Sequence, residues 1–363
     1  MHSPSASDAP ASGPFSKQPT IHDVAAALGL HKSSVSLAFS GKGNLSSTTR
    51  ERILSVAKEL GYEPNPLAQR LANGINNSLV CLCSGGLDVG LITEKVLLIQ
   101  RELSKASLEV PIYTFSDNSG AASQASQVKA LCRQMPRAIV CAAQTLSSQV
   151  FRELERYQSE GGIVVSYDVA VPLECDQVVF DREDNAYRGA KYLIEQGHTR
   201  LGIALSNVQQ NPSASLNNPQ NARVQGFRRA LREADLPLRD EWVFLNATYE
   251  AGGAEMARHF LDSNDRPTGL CIVNDYVALA FMVEVMRAGV RVPEDISVVG
   301  HDNQPVASYC PVPLTSVSQP TAQIAHAVVE MLLERVAGSD VPPRTVEIRG
   351  DFIERQSVCR PGG

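Results

Sequence analysis

Arg223, Asn274 and Asp302 stand far apart in a chain of 363 residues, yet each falls at the end of an apolar, β-rich run or where a helical run starts. Arginine offers a rigid fork of donors, aspartate accepts hydroxyl protons, and asparagine does either, so the trio suits vicinal hydroxyls or a polar ring. The ends of strands are also where open α/β sheets take their ligands. Asp168, closing the run GGIVVSYD, could complete the set from an opposite lobe. The competing reading is a plain salt bridge between Arg223 and Asp302 that fixes two loops.

A second set of polar residues lies in TIHDVAAALGLHKSSVSLAF, Thr20 to Phe39. Thr20 can cap a first helix, Asp23 favours its positive end, and Val24, Ala27 and Leu28 supply an apolar stripe. Gly29 stops it. His31 or Ser33 opens a second helix whose Val35, Ala38 and Phe39 face inward, leaving Lys32, Ser33, Ser34, Ser36 and Leu37 outside. Short hydroxyls and one cation on an outer face suit the major groove, where they reach phosphates and base edges. Two helices joined by a tight turn also occur as mere structure.

The elements that follow raise the weight of the DNA reading. Ser46 to Thr49 can cap a third helix, with Ile53, Val56, Ala57 and Leu60 as its inward stripe. Gly61 ends it, and a stub from Tyr62 to Ala72 begins on Pro64 and Pro66. So short a helix is marginal alone in water and needs a partner. From about Asn77, β-rich runs alternate with helical ones. The strands expected are 79–83, 110–115, 138–142, 163–167, 178–180, 201–205, 243–246, 270–273 and 296–299, with helices such as 184–196, 222–234, 251–261 and 276–288. This order predicts parallel sheets wrapped by helices, in two doubly wound lobes with a cleft between them.

The first eighty or so residues resemble the lactose-repressor and purine-repressor family of bacterial transcription regulators. The marks are T-I-x-D-V-A-x-x-L-G-L, V-S-L-A-F, T-R-E-R-I and G-Y-x-P-N-P-x-A-x-x-L. Further marks are V-V-F-D-R-E-D-N-A-Y (178–187), R-V-Q-G-F-R-R-A-L (223–231), V-N-D-Y-V-A-L-A (273–280), V-P-E-D-I-S-V-V-G-H-D-N (292–303) and P-L-T-S-V-S-Q-P (313–320), so the likeness covers nearly the whole chain after the tail.

The resemblance implies an α/β fold: a three-helix helix-turn-helix head with a hinge helix, then a two-lobed unit like the periplasmic binding proteins, crossing over three times. It implies a tail at 1–17, a DNA-binding domain at 18–63, a hinge helix and linker at 64–76, and an effector-binding and dimerisation domain at 77–363. One lobe would hold 77–178 and 319–346, the other 179–318 and 347–363. It also implies that Lys32 and Ser33 read bases, that Ser34, Ser36, Ser46 and Thr49 meet phosphates, and that Thr20, Ile21, His31, Leu37, Asn65, Ala68 and Leu71 complete the DNA contacts. Leu71 would lever into the minor groove when two hinge stubs meet on the operator, an apolar wedge that bends the duplex. The bland alternative for Leu71 is a buried linker residue.

The effector set implied is Asp168, Arg223, Asn274 and Asp302, with Thr248 and Tyr249 where several relatives place a stacking ring. Three departures from relatives stand out: Leu37 where many carry arginine, the loop Ser84 to Val89 without aromatic features, and a long polar loop from Asn207 to Asn221 that either covers the cleft or is a surface excursion.

Charge and composition agree with such a protein. The formal charge is −6, but Lys17 to Ser78 carries seven basic against four acidic residues, a net of +3 that leaves −9 for the rest. A modestly basic head on an acidic body fits local phosphate contact. The Ser, Pro and Ala-rich first sixteen residues contain no secretory run, and no later stretch approaches the roughly 20 apolar residues that span a bilayer. Eight scattered cysteines without a C-x-x-C pair read as reduced core residues of a cytoplasmic protein working at the nucleoid. Cys81 and Cys83 are read as pointing to opposite sides of a strand, which disfavours a shared metal.

No H-E-x-x-H, G-x-S-x-G or G-x-x-x-x-G-K string occurs, and the histidines are dispersed, with His301 beside Asp302 the only tempting acid-base pair and read as an oddity of the cleft lining. The sequence therefore predicts no enzyme, no cofactor and no metal. It predicts a homodimeric regulator, expected to act as a repressor, that binds double-stranded operator DNA and responds to a sugar or nucleoside-like effector. No leucine-heptad tail follows Cys359, which favours the dimer. The alternative is a small-molecule binding protein with a vestigial head.

Overall fold

The computed structural model describes residues 19–40, 45–62, 76–84, 87, 90–115, 120–143, 146–205, 219–244, 247 and 249–362. The chain divides into two units, Met1–Asn76 and Asn77–Gly363.

In the first unit, α1 (Ile21–Leu28), α2 (Lys32–Ser40) and α3 (Ser47–Leu60) enclose a core of Val24, Ala25, Val35, Ala38, Ile53 and Ala57. The Thr20 amide and hydroxyl both donate to Asp23 Oδ2 at 2.7 Å, satisfying the start of α1. Gly29 and Gly61 end α1 and α3 with φ of 65° and 67°, the left-handed conformation that glycine adopts without steric penalty. Two core expectations fail. Ala25 is buried and Ala27 exposed, because the inward stripe of α1 runs Ile21, Val24, Ala25, Leu28. Leu60 is exposed at the last position of α3, and Tyr62 instead reaches back to pack edge-on against Phe39.

The second unit contains β1 (Asn76–Ser84), α4 (Gly90–Lys105), β2 (Ile112–Thr114), α5 (Gly120–Cys132), β3 (Pro136–Ala142), α6 (Ser148–Ser159), β4 (Ile163–Asp168), β5 (Asp176–Phe180), α7 (Arg182–Glu195), β6 (Leu201–Ala204), α8 (Pro219–Glu233), β7 (Val243–Phe244) and α9 (Tyr249–Asp262). It continues with β8 (Gly269–Ile272), α10 (Asp275–Arg287), β9 (Ser297–Asp302), α11 (Val306–Tyr309), β10 (Thr315–Ser318), α12 (Thr321–Val336), β11 (Thr345–Ile348) and β12 (Phe352–Ile353).

These strands form two sheets of the same order, β2-β1-β3-β4-β5-β11 and β7-β6-β8-β9-β10-β12. Among the pairings described, only β10 with β12 is antiparallel. A parallel sheet must be covered on both faces, and each sheet here has one apolar cluster per face. Cys81 and Cys83 lie in the same cluster. This corrects the expectation that they point apart, since a strand's two-residue period puts i and i+2 on one face.

The chain passes between the lobes three times, after β5, after β10 and after β11. The first lobe keeps β5 to Phe180 and β11 to Ile348, two residues past the borders expected at 178 and 346. Side chains stitch the crossings together: Asn185 Nδ2 donates to Ser318 O at 3.2 Å and Arg188 Nη1 to Gly350 O at 3.1 Å. Strands β10, β11 and β12 are short runs near the C-terminus that the alternation pattern did not single out. The expected loop from Asn207 to Asn221 ends sooner, as α8 starts at Pro219, a favoured first helical residue. The rest of that loop lies outside the described residues.

Candidate DNA-reading face and effector cleft

On the first unit, Lys32, Ser33, Ser36 and Leu37 are exposed on α2 and Ser34 is half-buried. His31 precedes the helix, its Nδ1 lying 2.9 Å from Ser33 Oγ and 3.5 Å from the Ser33 amide. At the start of α3, Ser46 Oγ accepts from the Thr49 amide at 3.2 Å, and the two hydroxyls are 2.7 Å apart. The hydroxyls of Ser46 and Thr49 thus sit beside the positive end of a 14-residue helix, where a phosphate oxygen is favoured. Thr20 and Ile21 begin α1. Asn65, Ala68 and Leu71 lie outside the described residues.

In the second unit, Asp168 ends β4 and Asp302 ends β9, the fourth strand of each sheet in matching position. Both carry positive φ, 84° and 93°. A non-glycine residue there stores on the order of 1–3 kcal/mol of strain, a feature that clusters at ligand sites. Arg223 lies on α8, only 6% exposed. Its Nη2 is 3.9 Å from Asp302 Oδ1, an ion pair too long for a hydrogen bond, so the salt bridge that the sequence offered as an alternative is present in a loose form. Asn274 caps α10, its Oδ1 accepting from the Tyr276 amide at 3.1 Å, which leaves its side chain to act as a donor. Thr248 lies outside the described residues; Tyr249 opens α9.

The structure adds two cations that sequence reasoning missed. Lys95 on α4 is 1% exposed, and its Nζ donates to Asp168 Oδ1. Arg182, the first residue of α7, donates through Nη1 to Asp168 O at 2.6 Å, reaching from one lobe to the other. Lys95 had a signal in the sequence: it interrupts the stripe Leu91, Lys95, Ile99, Leu103, a charge at a core position four residues from each neighbour.

Burial, more than any neighbour, lowers the pKa of Lys95 and Arg182 and brings Arg223 down to about 10, while it raises that of Asp302. Asp275, behind Asp302, is also raised by burial, and accepts from Ser316 Oγ at 2.8 Å and the Gln304 amide at 2.6 Å. Several buried polar atoms around these charges have no partner among the described residues: Asp168 Oδ2, Arg223 Nε, Ser84 Oγ and Gln304 Nε2. Such orphans are rare in native cores, where a buried polar atom is normally partnered.

His301, next to Asp302, is fully buried, with Nδ1 3.1 Å from Ile272 O. Burial, aided by Arg223, holds its imidazole down at about 3. Above pH ~6.5 it is neutral in folded and unfolded chains alike. Between ~6.5 and about 3 only the unfolded chain takes the proton, so stability falls as pH falls, by about 1.4 kcal/mol per pH unit from this group. Urea midpoints measured from pH 7 to pH 5 should drop more steeply for wild type than for His301→Gln. Parallel curves would remove His301 from this account.

A helix-turn-helix unit followed by a two-lobed ligand-binding unit defines a DNA-binding regulator under small-molecule control. Residues 20–65 match the family described as bacterial regulatory proteins, lacI family, and residues 190–358 match the periplasmic binding protein-like domain. The HTH-type transcriptional repressor PurR of Vibrio vulnificus (strain CMCP6) is 27% identical over 350 residues, 93% of this chain and 98% of that protein. A complex of the transcriptional regulator CelR with cellobiose is 25% identical with a TM-score of 0.66, covering 93% of this chain and 99% of that one. The Lac repressor dimer bound to operator and the anti-inducer ONPF shares the fold, at 22% identity and a TM-score of 0.75 over 94% and 100% of the two chains. The chain is thus similar to the lacI family of bacterial regulatory proteins along nearly its whole length.

Proposed function

We propose that this regulator acts in the cytoplasm as a homodimeric repressor on a pseudo-palindromic operator, and that a sugar or nucleoside-like molecule between its lobes modulates that binding. The observation that carries the reading is the group of buried, charged residues of the second unit whose polar atoms lack a partner among the described residues, Asp168 at a strand end and Arg223 on α8 above all. The exposed hydroxyl and lysine face of α2 supplies the DNA contact. Support for a second copy comes from large apolar side chains left in solvent on both lobes, Leu97 on α4 and Tyr309 on α11. The PurR relatives are named as repressors, the CelR complex holds cellobiose, and the Lac repressor complex is a dimer on operator.

The mechanism needs one bistable element. Ligand binding in the cleft changes how the lobes stand to each other, and this favours or disfavours pairing of the two Leu71 stubs on the duplex. Selection of bound duplexes from random oligonucleotides tests the reading: a two-fold symmetric consensus is expected, and no enrichment would overturn it. On the selected duplex, Leu71→Ala should weaken binding about tenfold, or ~1.4 kcal/mol. Leu37→Arg should add a guanine-reading fork and shift the preferred base at one position by about 1–3 kcal/mol; repeating the selection with this variant checks it.

A further inference from the structure

The second unit brings together three cations, Lys95, Arg182 and Arg223, and two carboxylates, Asp168 and Asp302, with a third carboxyl, Asp275, behind Asp302 where burial favours its uncharged form. They form one electrostatic cluster, since Asp302 feels the three cations and Asp168. The carboxylates are unevenly used: Asp168 Oδ1 is taken by Lys95, whereas Asp302 makes only the 3.9 Å approach to Arg223. Arg223 therefore sits almost out of solvent with a buried Nε that has no partner among the described residues. A buried cation whose nearest carboxylate stands 3.9 Å away is incompletely compensated, and a neutral polyol supplies lone pairs without charge. Burial raises the pKa of Asp302, while Arg223, Arg182 and Lys95 pull it down. The neighbouring His301 imidazole is neutral at ordinary pH, so it does not add to the positive count.

We propose that the effector carries an oxyanion, a carboxylate or a phosphate, which the Arg223 guanidinium binds within the positive field of Lys95 and Arg182. This rests on the reading that the cleft takes an effector. Arg223 presents a planar fork matched to either oxyanion. Asp302 and the donor side of Asn274 are left to read hydroxyl or ring groups on the rest of the molecule.

Thermal unfolding of the full chain tests this, with inorganic phosphate, D-gluconate, D-glucose, ribose and adenosine as probes at constant ionic strength. Phosphate or gluconate should raise the midpoint saturably by more than about 2 °C, beyond any effect of matched sodium chloride. Arg223→Gln should abolish that rise and Lys95→Met should weaken it several-fold, while Arg287→Gln, an exposed site on α10, should leave it intact. An unmoved wild-type midpoint with both anions overturns the oxyanion site. If glucose, ribose or adenosine then raises the midpoint, the effector cleft stands without its anion preference; if none of the five does, support is lost for both.

Discussion

Gly350→Ala should lower the thermal midpoint of the second unit by roughly 6–12 °C. A Cβ at this position would lie 1.9 Å from the Ser318 carbonyl oxygen and 3.3 Å from Asn185 Nδ2. Neither neighbour can yield cheaply. Ser318 ends β10, and its own amide and hydroxyl are bonded to Asp351, so the two crossings between the lobes are tied backbone to backbone. Overpacking typically costs about 1–3 kcal/mol, and a clash between two pinned backbones belongs at or beyond the upper end. For a unit of this size each kcal/mol moves the midpoint by roughly 2–4 °C. Gly362→Ala, where a Cβ meets open space, is the control and should change nothing. Equal midpoints for the two variants would mean that the crossings are looser than the structure shows. Since the hinge must pass any lobe movement, a folded Gly350→Ala protein should also respond less to effector.

Asp168→Ala should destabilise the protein by about 3–5 kcal/mol, because it leaves the buried Lys95 and Arg182 without their shared carboxylate. Lys95 is the informative partner. Adding Lys95→Met to Asp168→Ala removes one stranded cation and restores stability, so the double variant should be less destabilised than the sum of the singles. A coupling of about 0.5–3 kcal/mol is expected for residues in direct contact. Urea unfolding of the four proteins measures it, and strict additivity would break the link between the two residues.

Much of this was legible in the sequence, because local signals and global fold agree. Gly29 and Gly61 mark helix ends that need positive φ, and the capping pair Thr20 and Asp23 marks a helix start. Strand ends at Asp168 and Asp302 could be read from the apolar runs before them. What the sequence did not show depends on contacts distant along the chain. Lys95 meets Asp168 across 73 positions, and no periodicity in α4 says which partner a buried lysine will find. Arg182 was hidden differently: it lies inside a recognised run, V-V-F-D-R-E-D, but only the lobe crossing turns it back onto the Asp168 carbonyl. The short strands β11 and β12 carry too few residues for an alternation pattern, and their pairing is set by the chain's second and third passages between lobes.

The most direct measurement is the affinity of the purified protein for its selected duplex against a scrambled duplex of equal length, by fluorescence anisotropy at two salt concentrations. The account predicts a preference of at least ~10³-fold that persists while absolute affinity falls steeply as salt rises. Equal affinity for both duplexes at either salt would contradict it.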